Sequence, residues 1–220
     1  MFDNIISLLP EIYLGIGQTF LMVGIAISAA ILLGLPIGLL TFLTSKEQLL
    51  EHTILNNILN ALINTVRSFP FIILLIALIP FTRTILGTSV GPLAASIPLS
   101  IAAIPFLARL VEQSLREVPK GTIEAAVAMG GTSIQIIIKV LLVEARSGLL
   151  LGLTVTAVSF ISYSAIAGVV GGGGIGDLAI RYGYYRFQTD IMITTVLLLI
   201  IIVQSVQFIG NYLSAKLDKR

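Results

Sequence analysis

The chain has no cysteine, one histidine and little charge: Asp, Glu, Lys and Arg make up 11% of its 220 residues, against roughly 25% in an average soluble protein. Without cysteine there is neither a disulfide framework nor thiolate metal or redox chemistry. The lone His52 cannot build a zinc site and reads as a loop residue beside Glu51. The glycines at 171–174 and 176 have the density of a phosphate loop, but the lysine and hydroxyl residue that such a loop requires are missing. Nucleotide hydrolysis is therefore not expected of this chain. The N-terminus has no basic n-region or small-residue cleavage site, so the first apolar run reads as retained. A net charge of +2 gives no reason to expect a nucleic-acid partner.

What the chain does have is apolar length, with 56% of its residues hydrophobic. Runs free of Asp, Glu, Lys, Arg and His extend over Ile12–Ser45, Thr84–Ala108, Ser147–Gly176 and Ile191–Ala215. Each reaches the roughly 20 residues that cross a bilayer core as a helix. A fifth stretch, Thr53–Thr82, is as long but carries Arg67 near its middle. Barrels need alternating polar positions, which these runs lack, and a spanning backbone must otherwise satisfy its own hydrogen bonds as a helix. The reading is an all-α membrane protein of five transmembrane helices, one domain over 1–220.

Basic residues set the expected orientation. With the connection after the third run inside, Lys46, Arg109, Arg116, Lys120, Lys139, Arg146, Lys216, Lys219 and Arg220 fall inside, and Arg83, Arg181 and Arg186 fall outside. Nine against three places the N-terminus outside and the C-terminus inside. Gly34, Pro36 and Gly38 predict a kink near the inner end of the first run. Pro70 is expected to free the Val66 carbonyl, and Gly87, Gly91 and Pro92 mark a turn. Asp177 to Asp190, with Tyr182, Tyr184, Tyr185 and Phe187, suits the outer headgroup level. No repeat is visible, and an odd span count argues against two inverted halves, so a path is expected between two copies.

The connection from about 112 to 145 is too long for a turn and too patterned for a linker. Residues Glu124 to Met129 read as a short helix with Glu124 in its first turn, stopped by Gly130-Gly131. Thr132 and Gln135 have capping-box spacing for a second helix reaching about Val143. Here the chain resembles the coupling loop of binding-protein-dependent ABC importer permeases, E-A-A-x3-G-x9-I-x-L-P. Glu124, Ala125, Ala126, Gly130 and Leu142 match, while Val140 stands for the isoleucine and Val143 for the proline. The departure at Val143 is expected to soften the end of the second helix.

Several further segments look like permeases of methionine importers. They are Arg67-Ser68-Phe69-Pro70-Phe71-Ile72-Ile73-Leu74, Arg109-Leu110-Val111-Glu112, Glu117-Val118-Pro119, Lys139-Val140-Leu141-Leu142, Tyr163-Ser164-Ala165, Gly173-Gly174-Ile175-Gly176 and Arg181-Tyr182-Gly183-Tyr184. The resemblance implies a bacterial inner-membrane homodimer carrying methionine, L and D forms alike. It also implies two cytoplasmic ATPase subunits that bind ATP and Mg, and a lipid-anchored periplasmic methionine-binding protein.

On this reading Glu124, Ala125, Ala126, Met129, Gly130 and Gly131 contact the ATPase. Tyr163, Ser164 and Ile166 of two facing copies form an apolar gate, which can block water and ions by dewetting. A cation in mid-span must face protein or water, so Arg67 braces a kink, snorkels toward the inner surface or lines the inward-facing path. An ion-coupled transporter or channel is disfavoured because every acidic residue falls at or beyond a span end. A permease for another amino acid, and a scaffold subunit without a path, are the remaining alternatives.

Overall fold

Lacking water, the apolar runs can satisfy their backbones only as helices. The computed structural model describes residues 3–218, and no strand occurs among them. Lys219 and Arg220 of the basic count lie outside the described residues. Helix α1 (Asp3–Ala29) passes through a π turn at Ala30–Gly34 into α2 (Leu35–Leu43), making one 39-residue stretch from Ile5 to Leu43. It is followed by α3 (Thr53–Ser68), α4 (Phe71–Ala77), α5 (Ile79–Leu86) and α6 (Pro92–Arg116). The connecting loop holds α7 (Lys120–Ala128), α8 (Ser133–Ile136), a π turn at Ile137–Leu141 and α9 (Leu142–Glu144). Then come α10 (Arg146–Val169), α11 (Gly174–Leu178), a π turn at Ala179–Tyr184 and α12 (Thr189–Leu217).

Four of these stretches, Ile5–Leu43, α6, α10 and α12, are each long and apolar enough to cross a membrane. The fifth expected span is broken, because α3 and α4 meet at 98°. Phe69 and Pro70 at the break are extended, with ψ of 131° and 132°. Proline disfavours helix at the residue before it and has no N–H to continue the ladder. Asn56, Asn57, Asn60 and Asn64 also make α3 far more polar than the other spans.

Helix α6 occupies the centre, packed against α1, α2, α3, α4, α5 and α10. Leu99, Leu107, Val111 and Leu115 of α6 join Met22, Phe42 and Phe160 in the main core. Lipid supplies no hydrophobic drive for helices to associate, so small residues that let backbones approach take over. Gly34 and Gly38 lie one turn apart on the face against α6. A Cβ at Gly34 would come within 2.5 Å of the Ile104 carbonyl oxygen, and one at Gly38 would strike the Ala108 carbonyl. The segment expected to kink at Gly34, Pro36 and Gly38 is thus also a close helix contact. What adjustment there is comes as the π turn, where the Leu35 N–H bonds back to Ala30 O.

Candidate functional site

Glycine shapes the loop between α6 and α10. Its first helix begins at Lys120, four residues earlier than expected, so Glu124 lies mid-helix and exposed rather than in the first turn. Gly130, at φ +79°, ends it in a Schellman motif: the Gly131 N–H donates to Ala126 O at 3.1 Å and the Gly130 N–H to Val127 O at 2.9 Å. The capping box forms, with the Thr132 N–H donating to Gln135 Oε1 at 3.0 Å and the Gln135 N–H to Thr132 Oγ1 at 3.4 Å. With Val143 where the motif has proline, the backbone stays helical to Glu144 and nearly joins α10.

The corner presents apolar side chains to the outside. Met129 is 82% exposed and Ile134 70%, with Val127 and Ile138 also open. Of the residues expected on this surface, Ala126 is buried beneath the corner and Gly131 is half-buried, while Ala125 and Gly130 are exposed. The exposed isoleucines and Val127 escaped the sequence reading, since apolar residues on a short helix read first as core. Lys120 Nζ donates to Glu47 Oε2 at 2.9 Å, tying the start of α7 to the turn after α2. That hydrogen bond, with the lysine charge, holds the Glu47 carboxyl below the usual carboxylate range and raises Lys120 correspondingly.

A second feature lies at the α3–α4 break. The Val66 carbonyl that Pro70 was expected to free is instead taken by the Phe69 N–H at 3.3 Å. Arg67, in the last turn of α3, is exposed and makes no hydrogen bond or ion pair among the described residues. It is therefore not a brace bonded across the kink. It lines a cleft of about 250 Å³ together with Phe69, Phe71, Leu74, Phe106 and Tyr163. Phe71 stacks on Tyr163 with centroids 4.7 Å apart and planes 6° apart, and Phe160 meets Tyr163 edge-on at 5.1 Å. Such pairs contribute roughly 0.5–1.5 kcal/mol each beyond burial, and the Phe71–Tyr163 pair joins α4 to α10. Arg67 and Tyr163 are thus brought together. Ser164 is turned into the bundle, its hydroxyl donating to Ile161 O at 2.7 Å, and Ile166 is half-buried against the core.

Two polar clusters lie near the two ends of α6. Glu112, 2% exposed near the C-terminal end of α6, is held by Arg109 and by Arg116 at 2.8 Å. Arg109 also donates to Asn64 Oδ1 of α3 at 2.7 Å. At the opposite end of α6 the glycines at 171–174 and 176 form a closely packed corner: the Gly174 N–H donates to Gln18 Oε1 at 2.7 Å and the Ile175 N–H to Thr19 Oγ1 at 3.0 Å. Close by, the buried Tyr182 hydroxyl donates to Glu11 at 2.7 Å beneath the Arg186 guanidinium.

Residues 30–220 match the family described as binding-protein-dependent transport system inner membrane component. The chain belongs to this family. It is a multi-pass inner-membrane protein and a transport component. The permease is 51% identical over 203 residues, 92% of itself and 90% of the relative, to the probable D-methionine transport system permease protein MetI of Vibrio cholerae. It is 45% identical over 181 residues, 82% of each chain, to the methionine import system permease protein MetP of Bacillus subtilis. A chain from the inward-facing MetNI methionine ABC transporter superposes with a TM-score of 0.94 and 40% identity, covering 97% of the permease and 99% of that chain.

Proposed function

We propose that this chain is the permease subunit of a methionine importer. Two copies form the path, and a separate cytoplasmic ATPase, which binds ATP and Mg, supplies the energy. The observation that carries the reading is the 51% identity to a D-methionine permease over 92% of the chain. The near-complete likeness to a methionine ABC transporter chain agrees with it. In the proposed topology the N-terminus is outside and the C-terminus inside. A periplasmic methionine-binding lipoprotein then delivers solute at the glycine-corner end.

The Gly130 corner is the coupling element. Its open apolar residues Val127, Met129, Ile134 and Ile138 suit a groove on the ATPase, and exposed Glu124 offers one charge to a basic residue there. Gly131 and buried Ala126 keep the corner's shape rather than touching the partner. The cleft at Arg67 and Tyr163 lines the path, and Ile166 of two copies narrows it. Ser164 supports the gate helix from within.

Co-expression with a methionine-importer ATPase tests the assembly. The two should purify together in equal numbers, with hydrolysis stimulated by methionine-loaded binding protein. A permease that purifies alone, or hydrolysis indifferent to methionine and raised by another amino acid, would overturn the reading.

A further inference from the structure

We infer that the cleft at the α3–α4 break is a solute subsite within the permease, in which Arg67 takes the α-carboxylate of methionine and the Phe71, Phe106 and Tyr163 rings take its thioether side chain. The inference rests on the methionine reading and deepens it.

Arg109 and Arg116 are committed to Glu112, and Arg181 to Asp177 at 2.7 Å. Arg67 has five donors and, among the described residues, no acceptor. Two nearby acceptors are engaged elsewhere: Val66 O receives the Phe69 N–H, and Asn64 Oδ1 receives Arg109. No carboxylate lines the cleft, so the counter-charge has to arrive from outside. A planar carboxylate matches the guanidinium fork with two parallel bonds.

The rest of the cleft has the complementary chemistry. Its walls are aromatic and aliphatic, and a thioether gains favourable contacts at ring edges that a methylene does not. At about 250 Å³ it lies below the drug-sized range that begins near 300 Å³, which suits a solute the size of one amino acid. The break also leaves the Arg67 carbonyl without a backbone donor, so an acceptor for the ammonium group comes from a residue that lines the cleft. The site draws on α3, α4, α6 and α10 and meets at a bent, non-helical joint, so a rocking motion of these helices would open or close it.

The test uses the permease co-purified with its ATPase in nanodiscs, without binding protein. Binding of methionine, methioninol and norleucine is read by saturation-transfer NMR with competition by labelled methionine. Wild type should bind methionine saturably, about tenfold or more tighter than methioninol, which lacks the carboxylate. It should also prefer methionine to norleucine by roughly threefold, a preference lost in Phe71→Leu. Arg67→Gln should lower methionine affinity to the methioninol level and leave methioninol unchanged. Equal binding of methionine and methioninol by wild type would overturn the inference without any variant, as would absence of saturable binding or wild-type affinity in a folded Arg67→Gln complex. Uptake by the complete transporter separates the two readings. Methionine uptake with no carboxylate-dependent binding refutes the subsite and leaves the function standing, whereas a wild-type complex that carries no methionine refutes both.

Discussion

Replacing Gly130 with valine isolates the loop corner, because nothing but backbone conformation stands against the new side chain. Gly130 sits at φ +79° and a Cβ there would meet no atom within 4 Å, so the neighbours cost nothing. The left-handed conformation itself costs an L-residue roughly 1–2 kcal/mol, and more when the residue is β-branched. With 1.4 kcal/mol equal to a factor of ten, valine should reduce the population of the intact corner by about tenfold or more. Asparagine tolerates this region, so Gly130→Asn should retain most of it. The assay is a reconstituted permease–ATPase complex with binding protein, reading hydrolysis and uptake together. Gly130→Val should leave membrane insertion intact, lower uptake about tenfold, and dissociate hydrolysis from the presence of solute. Gly130→Asn should stay within about threefold of wild type. Coupled transport at the wild-type rate in Gly130→Val, or asparagine as damaging as valine, refutes the argument that this φ angle holds the coupling geometry.

Other substitutions probe the bundle. Gly38→Val puts side-chain atoms into the Ala108 carbonyl and Val111, so overpacking of roughly 1–3 kcal/mol should appear as a lower unfolding temperature, while Gly24→Ala, in open space within α1, should not lower it. Glu112→Gln strips the buried counter-charge from Arg109 and Arg116. The loss is expected near the lower end of the buried-pair range, roughly 3 kcal/mol, because Arg116 is half exposed; unchanged thermal unfolding would contradict it. Because the Glu47 carboxyl is held below its ordinary range, the Glu47–Lys120 pair stabilises above the unfolded carboxylate pKa near about 4.3. Its contribution fades as pH falls through the lower folded value, and at the alkaline end as pH rises through the raised Lys120 value. The difference between wild type and Glu47→Gln in α7 hydrogen exchange should therefore be flat from about pH 5 to 9 and shrink below about pH 4.

Long apolar runs and glycine positions were legible in the sequence because each rests on a local rule. A run without charge must become a helix in lipid, and Gly130 and the Thr132–Gln135 spacing carry their own turn and cap. What escaped depends on which surface faces which neighbour. Gly34 and Gly38 read as weak points in a helix until α6 is seen lying against them. Pro70 signals an interrupted ladder, but neither the 98° bend nor the capture of Val66 O by Phe69 follows from the proline alone. Glu112 was legible as a charge near a span end, but its burial was not, because arginines three and four residues away are equally common on exposed helices. Tyr163 and Arg67 were chosen separately from distant segments, and the stacking of Phe71 on Tyr163 that joins them crosses 92 positions of the chain.

The central claim is tested most directly by the complete transporter in proteoliposomes, with ATP supplied on the loop side, binding protein on the other, and labelled L- and D-methionine offered against a panel of amino acids. The account predicts ATP-dependent accumulation of methionine toward the side of the Gly130 corner, abolished when the ATPase is inactivated and competed by unlabelled methionine. Accumulation of a different amino acid in preference to methionine, or flow that continues without ATP, would contradict it.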